Sequence, residues 1–316
     1  MERRSMQSNL ECFLDCTTPI APSQCLPKTA IKNLNQLWHP WETETVEYFT
    51  LGDLWSCYDE WSAYGAGVPI SLNGKETVVQ YYVPYLSAIQ IFTSHSSLSS
   101  TRVESEAGDS DTRDSFSDSF SDESESDKTW RWEGGSSQET VGFEQDRFYP
   151  LRERLGNLYF QYFERSAPFG RVPLMDKING LARFFPGLMS LKSVDLSPAS
   201  WMAVAWYPIY HIPTGKTLKD LSASFLTYHT LSSSFQDMDA EGDAGMFERK
   251  RKKEEGIALA PFGLATYKMH GSLWATNEID GGQGRLLSML SAADSWLKQL
   301  RVTHHDFTYF MVNRHG

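Results

Sequence analysis

Few residues in this chain have the types and spacing that chemistry needs. His304-His305-Asp306 is the tightest ligand-like set. Imidazole and carboxylate groups bind first-row metals. Neighbouring side chains in regular structure point in different directions, so the set reads as a polar cluster at a helix end. His211 and His229 close two aromatic-rich segments. If those segments pair as strands, the two imidazoles face each other, which is the geometry an acid–base enzyme would use. Gly215-Lys216-Thr217 ends like a phosphate-binding loop, but Tyr210 stands where the loop needs glycine and Pro213 interrupts it. A turn is the better reading. Gly281-Gly282-Gln283-Gly284 lacks the strand-to-helix setting of a dinucleotide fingerprint and reads as a loop. Neither Gly-x-Ser-x-Gly nor His-Glu-x-x-His occurs. Cys12, Cys16, Cys25 and Cys57 fit neither the paired spacing of a zinc site nor a disulfide framework. They are expected as reduced, partly buried thiols. No catalytic residue, metal or cofactor is assigned.

The aromatic groups are more distinctive. Tyr81-Tyr82-Val83-Pro84-Tyr85 and Trp206-Tyr207-Pro208-Ile209-Tyr210 both set aromatics around a proline, and proline suits a strand edge or bulge. Tyr82, Tyr85, Trp206 and Tyr210 form a candidate binding surface for a proline-rich peptide or a sugar. The competing reading sends alternate aromatics into a core. Ser115, Ser119 and Ser124 each have an acid three residues on, namely Asp118, Asp122 and Asp127. That context suits acidophilic kinases, and each phosphate would add about −1.5 to −2 charge. Arg249, Lys250, Arg251, Lys252 and Lys253 form a basic run of the nuclear-import type. A solvated loop, or a loose salt-sensitive contact with acidic sequence, would also account for it.

The formal charge of −11 over 316 residues is concentrated in one segment. Residues 95–147 carry 14 acids against 5 bases, leaving 26 acids and 24 bases elsewhere. The ordered body is therefore near neutral, and no broad basic surface is available for nucleic acid. No apolar run reaches the roughly 18 residues that span a bilayer, and the N-terminus lacks a secretory h-region. A soluble protein of nucleus or cytoplasm is expected, with a protein partner and neither nucleic acid nor membrane.

The elements that would position these groups follow from local patterns. Ser8 and Glu11 form a capping box before Leu10, Phe13 and Leu14. Pro19, Pro22 and Pro27 end that helix. Val46–Leu51 reads as a strand, and Gly52-Asp53 as turn and cap for a helix from Leu54 to Tyr64. Asn73-Gly74 is a hairpin turn between Val68–Leu72 and Val78–Val83, with Ile89–Phe92 as a third strand. From Ser94 to about Thr140 serine and acids replace aliphatics, so ordering entropy of roughly 1–2 kcal/mol per residue goes uncompensated. Leu151, Leu155, Leu158, Tyr159, Tyr162 and Phe163 give a helical stripe, and Pro173 opens a second helix that stops at Pro186-Gly187. Trp201–Tyr207 reads as a buried central strand with Ser224–Leu231 beside it. Residues 232–256 form a charged loop, Ile257–Trp274 holds one or two strands, and Leu286–Leu300 is an amphipathic helix.

Strand runs interrupted by a helix pair argue for α+β. The expectation is one domain, mainly an antiparallel sheet with flanking helices, interrupted by a disordered acidic insertion. Its parts are a capped helix and proline-rich arm (1–30), a first portion (31–93), the insertion (94–147) and a second portion (148–316).

Several stretches resemble a plant family of uncharacterised proteins, domain of unknown function 789. They are Ser8-Asn9-Leu10, Leu51-Gly52-Asp53-Leu54-Trp55, Glu60-Trp61-Ser62-Ala63-Tyr64-Gly65-Ala66-Gly67-Val68-Pro69, Val78–Ser87, and Ala205–Tyr210 with Ile212-Pro213-Thr214-Gly215. The resemblance implies a plant origin and a single domain of full length, and it carries over no catalytic residue. The expected function is a regulatory or protein-interaction module with a phosphorylatable insertion. The alternative is an enzyme of unrecognised class with a pocket near the two proline-aromatic strands.

Overall fold

Two capping boxes start the first helices. The structure, a computed structural model, describes residues 7–30, 44–72, 76–93, 155–209, 222–235, 256–269, 273–274 and 282–313. Helix α1 (Asn9–Cys16) opens with Glu11 N–H donating to Ser8 Oγ at 3.2 Å while Ser8 N–H donates to the Glu11 carboxylate at 2.9 Å. These bonds satisfy amides that the first turn leaves free. Short strands β1 (Ile20–Ala21), β2 (Gln24–Pro27) and β3 (Thr45–Tyr48) follow. Helix α2 (Leu51–Ser56) begins three residues earlier than expected, because Thr50 and Asp53 make a second capping box. Gly52 lies inside its first turn, where a Cβ would stand 2.8 Å from the Met189 carbonyl. Helix α3 (Asp59–Tyr64) ends at Gly65, whose φ of 83° favours glycine.

The main sheet is built from β4 (Ala66–Leu72), β5 (Glu76–Thr93), β6 (Asn157–Phe163), and, after helices α4 (Leu174–Ala182) and α5 (Gly187–Ser190), β7 (Trp201–Pro208) and β8 (Ser224–Thr230). Then come β9 (Ile257–Ala258), β10 (Gly263–Tyr267), and helices α6 (Gly282–Leu300) and α7 (His305–Val312). The strand order is β10-β8-β7-β5-β4, with β6 also on β5, and every pair is antiparallel. The fold is α+β. Two-stranded ribbons β1–β9 and β2–β3 complete it.

β5 merges two strands that the sequence pattern separates. It runs unbroken through Pro84, pairing β4 at its start, β6 at its end and β7 between. Ile209 N–H donates to Tyr81 O. That sets the phase in which odd-numbered residues bond toward β7, so the nitrogen of Pro84 faces the other edge. There β4 has ended at Tyr82 and β6 has not begun, so the missing donor breaks no ladder bond.

The expected helix over 151–163 is corrected. Asn157–Phe163 is a strand, Leu155 lies just before it, and Leu151 is outside the described residues. The run is short and aromatic, Gly156 precedes it at φ 78°, and β5 supplies a ladder partner. The glycine-rich loop is also shorter than expected, since α6 already includes Gly282.

Alternation along β7 and β8 sorts the core into two layers. On one face Met202, Val204, Trp206 and Phe225 pack against Phe13 of α1, Trp55 of α2 and Ile178 of α4. On the other Trp201, Ala203, Ala205, Leu226 and Tyr228 pack against Ala293 and Leu297 of α6 and Phe307 and Phe310 of α7. Small residues let α6 come close, and a Cβ on Gly263 would lie 2.9 Å from that of Ala293.

The open edge of the sheet at β4 is blunted. The phase that points Tyr82 toward β4 points Ser71 outward. Asn9 clasps Ser71 there, accepting its N–H at 2.8 Å and donating to its carbonyl at 3.0 Å. Pro69, also outward, has no N–H to offer.

Candidate functional site

Chemistry-bearing side chains meet on the α6 face because of a bulge. Leu86 pairs Val204 and Ala88 pairs Ala203, so Ser87 is an extra residue on β5. Its hydroxyl lies 2.9 Å from His304 Nε2 and 2.5 Å from Asp306 Oδ2. His304 precedes α7 in extended conformation and Asp306 sits in its first turn. The two can therefore reach one point although they are near neighbours in sequence. The expected helix-ending cluster is thus a helix-starting one, with His304 and Asp306 buried and His305 exposed. Arg171 adds a bidentate pair to Asp306 at 2.7 and 2.8 Å, with side chains 3 % and 4 % exposed. Tyr228 OH lies 2.8 Å from His304 Nδ1.

The bonds have only one consistent direction. Arg171 can only donate, and Asp306, held ionised beside it, only accepts. The Ser87 proton therefore points to Asp306. His304 must then donate from Nε2 to Ser87, and Nδ1 accepts from Tyr228. Burial alone would raise the Asp306 pKa, but Arg171 and Ser87 outweigh it and hold the carboxyl below the usual range. Burial pushes His304 down to about 4, with Asp306 opposing. The imidazole is neutral.

A second chain of bonds crosses the α1 face. His229 Nδ1 donates to Leu259 O at 2.8 Å, so its Nε2 accepts the Thr227 hydroxyl proton at 2.9 Å. Thr227 Oγ1 in turn accepts from Trp206 Nε1 at 3.0 Å. His229 is fully buried, and burial pushes it to about 4 against the pull of the Leu259 carbonyl. Its expected partner His211 lies outside the described residues.

The proposed aromatic surface is corrected. Tyr82 and Trp206 are fully buried. Tyr82 packs edge-on to Phe13 at 5.3 Å, and Trp206 packs among Phe13, Tyr58 and Trp61. Alternation on a sheet covered on both faces sends these rings inward. Tyr85 is half-buried against Tyr207 at 5.7 Å. Tyr210 lies outside the described residues, as do Ser115, Ser119, Ser124 and Arg249, Lys250, Arg251, Lys252 and Lys253. All four cysteines are free thiols. Among the described residues no group of three or more histidine, cysteine or acidic side chains could hold a metal, and no helix is long and apolar enough to cross a membrane. Sequence reasoning missed Ser87, Arg171 and Tyr228. No local signal marks them, because the bulge and the partners are set by strands far apart in sequence.

Comparison with known proteins gives one result. A family described as "Protein of unknown function (DUF789)" matches residues 8–310. No curated protein and no solved structure matches the chain.

Proposed function

The chain belongs to this DUF789 family of proteins of unknown function, and on that premise we propose that it is a non-catalytic regulatory or protein-interaction module. The observation that supports this reading is the direction of the hydrogen bonds around Ser87. A serine nucleophile needs a histidine that takes its proton. Here His304 donates to the serine oxygen and the serine proton points to Asp306. His229 likewise has both nitrogens bonded. These groups are spent on tying the sheet to α7 on one face and to the chain at Leu259 on the other.

The part that varies its charge is then the acidic segment. Thr93, where β5 ends, pairs with Asn157, where β6 begins, so one sheet edge sends out and receives the whole segment. Phosphates at Ser115, Ser119 and Ser124 would change its charge by about −1.5 to −2 each and so select partners. The protein would work in nucleus or cytosol of a plant cell, with Arg249–Lys253 acting in import. Affinity purification from plant tissue tests this, using wild type and a chain with all three serines changed to alanine. The expected result is a partner set that differs between the two. An unchanged, partner-free result would sink the reading. A fluorescent fusion with Arg249–Lys253 replaced by alanine tests import, and unaltered nuclear signal would remove that role.

The enzyme reading keeps one observation in its favour, the 2.9 Å approach of His304 Nε2 to Ser87 Oγ. A fluorophosphonate probe decides between the two. Labelling at Ser87 in the folded protein would favour the enzyme.

A further inference from the structure

The stretch from β6 to α5 presents exposed aromatic rings and two arginines that make no ion pair among the described residues. Phe169 is 96 % and Phe184 80 % exposed, and Val172 and Phe185 are exposed as well. Phe169 lies in the turn Pro168–Gly170 a few residues before α4, and Phe184 lies two residues after its end. Leu174 and Ile178 face the core, so the opposite side of α4 is its outer side. Nine helical residues separate the two ends by about 13 Å. Each end also holds an exposed guanidinium, Arg165 or Arg183, with no ion pair among the described residues. Asp176 is the one exposed acid between them, and Lys177 is engaged with Glu164 at 3.2 Å. Apolar rings this exposed, within reach of one short peptide, make a surface that a covering segment would bury.

We propose that this outer face of α4 is a docking site for the chain's own acidic segment, within residues 94–154. Position is the first argument. The segment runs into β6 at Asn157, and Phe160, three residues on, contacts Phe185 with ring centroids 4.8 Å apart. The segment therefore rejoins the fold beside the C-terminal end of α4. Composition is the second argument. Its 14 acids and 5 bases in 95–147 are interspersed with Phe116, Phe120, Trp130, Trp132 and Phe143. Carboxylates suit Arg165 and Arg183, while rings suit Phe169 and Phe184. Tethering is the third. A segment held at both ends acts at an effective concentration of order millimolar, so contacts too weak to bind in trans become populated. Phosphates on Ser115, Ser119 and Ser124 add charge of the same sign and tighten the contact. The inference goes beyond the interaction-module reading, because it states where the segment rests before any partner arrives.

Hydroxyl-radical footprinting of the full chain tests it, reading oxidation of Phe169 and Phe184 against Tyr64. Tyr64 is 73 % exposed, lies on α3 and serves as the internal reference. In 0.05 M salt both phenylalanines should oxidise several-fold more slowly relative to Tyr64 than in 1 M salt, where the Debye length shrinks to about 3 Å. An R165E/R183E chain, altered only at exposed positions, should show the fast rate at both salts. Protection that disappears on dilution would mean a second copy covers the face and would overturn the proposal. Equal rates at both salts in the wild-type chain would overturn it too.

Discussion

His229 and His304 occupy opposite faces of one sheet and share much. Each is buried, each is neutral with a pKa near 4, and each has both ring nitrogens bonded. They differ in where their chains of bonds end. The His229 chain runs from Trp206 through Thr227 to a backbone carbonyl and contains no charge. The His304 chain runs from Tyr228 through Ser87 into the Asp306–Arg171 pair. The first joins neighbouring elements, β7, β8 and the strand region at Leu259. The second joins five positions scattered between Ser87 and Asp306 and pins α7 to the sheet. A neutral chain loses little more than its own bonds when broken. A chain that ends in a buried ion pair leaves a bare charge behind.

The largest expected effect follows from that difference. Arg171→Met should destabilise the fold by about 3–5 kcal/mol, because Asp306 is left buried and unpaired. The double variant Arg171→Met/Asp306→Leu should recover much of the loss. Urea unfolding measures both, and a double variant no better than the single would show that the charge is not the cause.

Acid should affect both faces alike. The unfolded chain protonates its histidines near 6.5, whereas the folded chain holds each neutral to about 4. Between these values the unfolded state binds more protons, so stability falls as pH falls, by about 1.4 kcal/mol per unit for each histidine. Asp306, held below its ordinary range, adds its own loss only at lower pH. Stability measured from pH 7 to 4.5 should show this slope, with His229→Gln and His304→Gln each removing about half. A flat profile would refute the neutral buried state.

The neutral chain should break more cheaply. Thr227→Val removes the acceptor of Trp206 and the donor to His229, at about 1–3 kcal/mol. A cost matching that of Arg171→Met would erase the contrast between the faces. Smallest is Ser8→Ala, which uncaps the helix covering the His229 face at about 1 kcal/mol. It should add independently to Arg171→Met, and a double-mutant cycle reads any coupling.

Local patterns reveal the parts of the fold that local physics decides. Ser8 and Glu11 announce α1, the alternation on either side of Asn73-Gly74 announces the antiparallel β4–β5 pair although the turn itself lies outside the described residues, and the unbroken apolar run from Trp201 announces a central strand. Leu158, Tyr159 and Tyr162 mislead, because a short aromatic run satisfies helix and strand spacing alike until a partner strand is known. Pro84 misleads for the same reason, since its harmlessness depends on a gap in the neighbouring edge. The site is less legible still. Arg171 and Asp306 are 135 residues apart, and Ser87 matters only because β7 pairs so as to leave it over. Tyr82 and Trp206 look like surface aromatics only while the covering helices are unseen.

The pairing of Thr93 with Asn157 bears on how this protein can evolve. Chain added between two ends already held together costs only loop-closure entropy, about 0.6 kcal/mol for each doubling of its length. The stretch between Thr93 and Leu155 is thus a port where sequence can be gained, lost or exchanged at little cost to the pairing of the sheet. A substitution in the buried histidine chains, by contrast, is felt at once in the packing and bonding of the sheet.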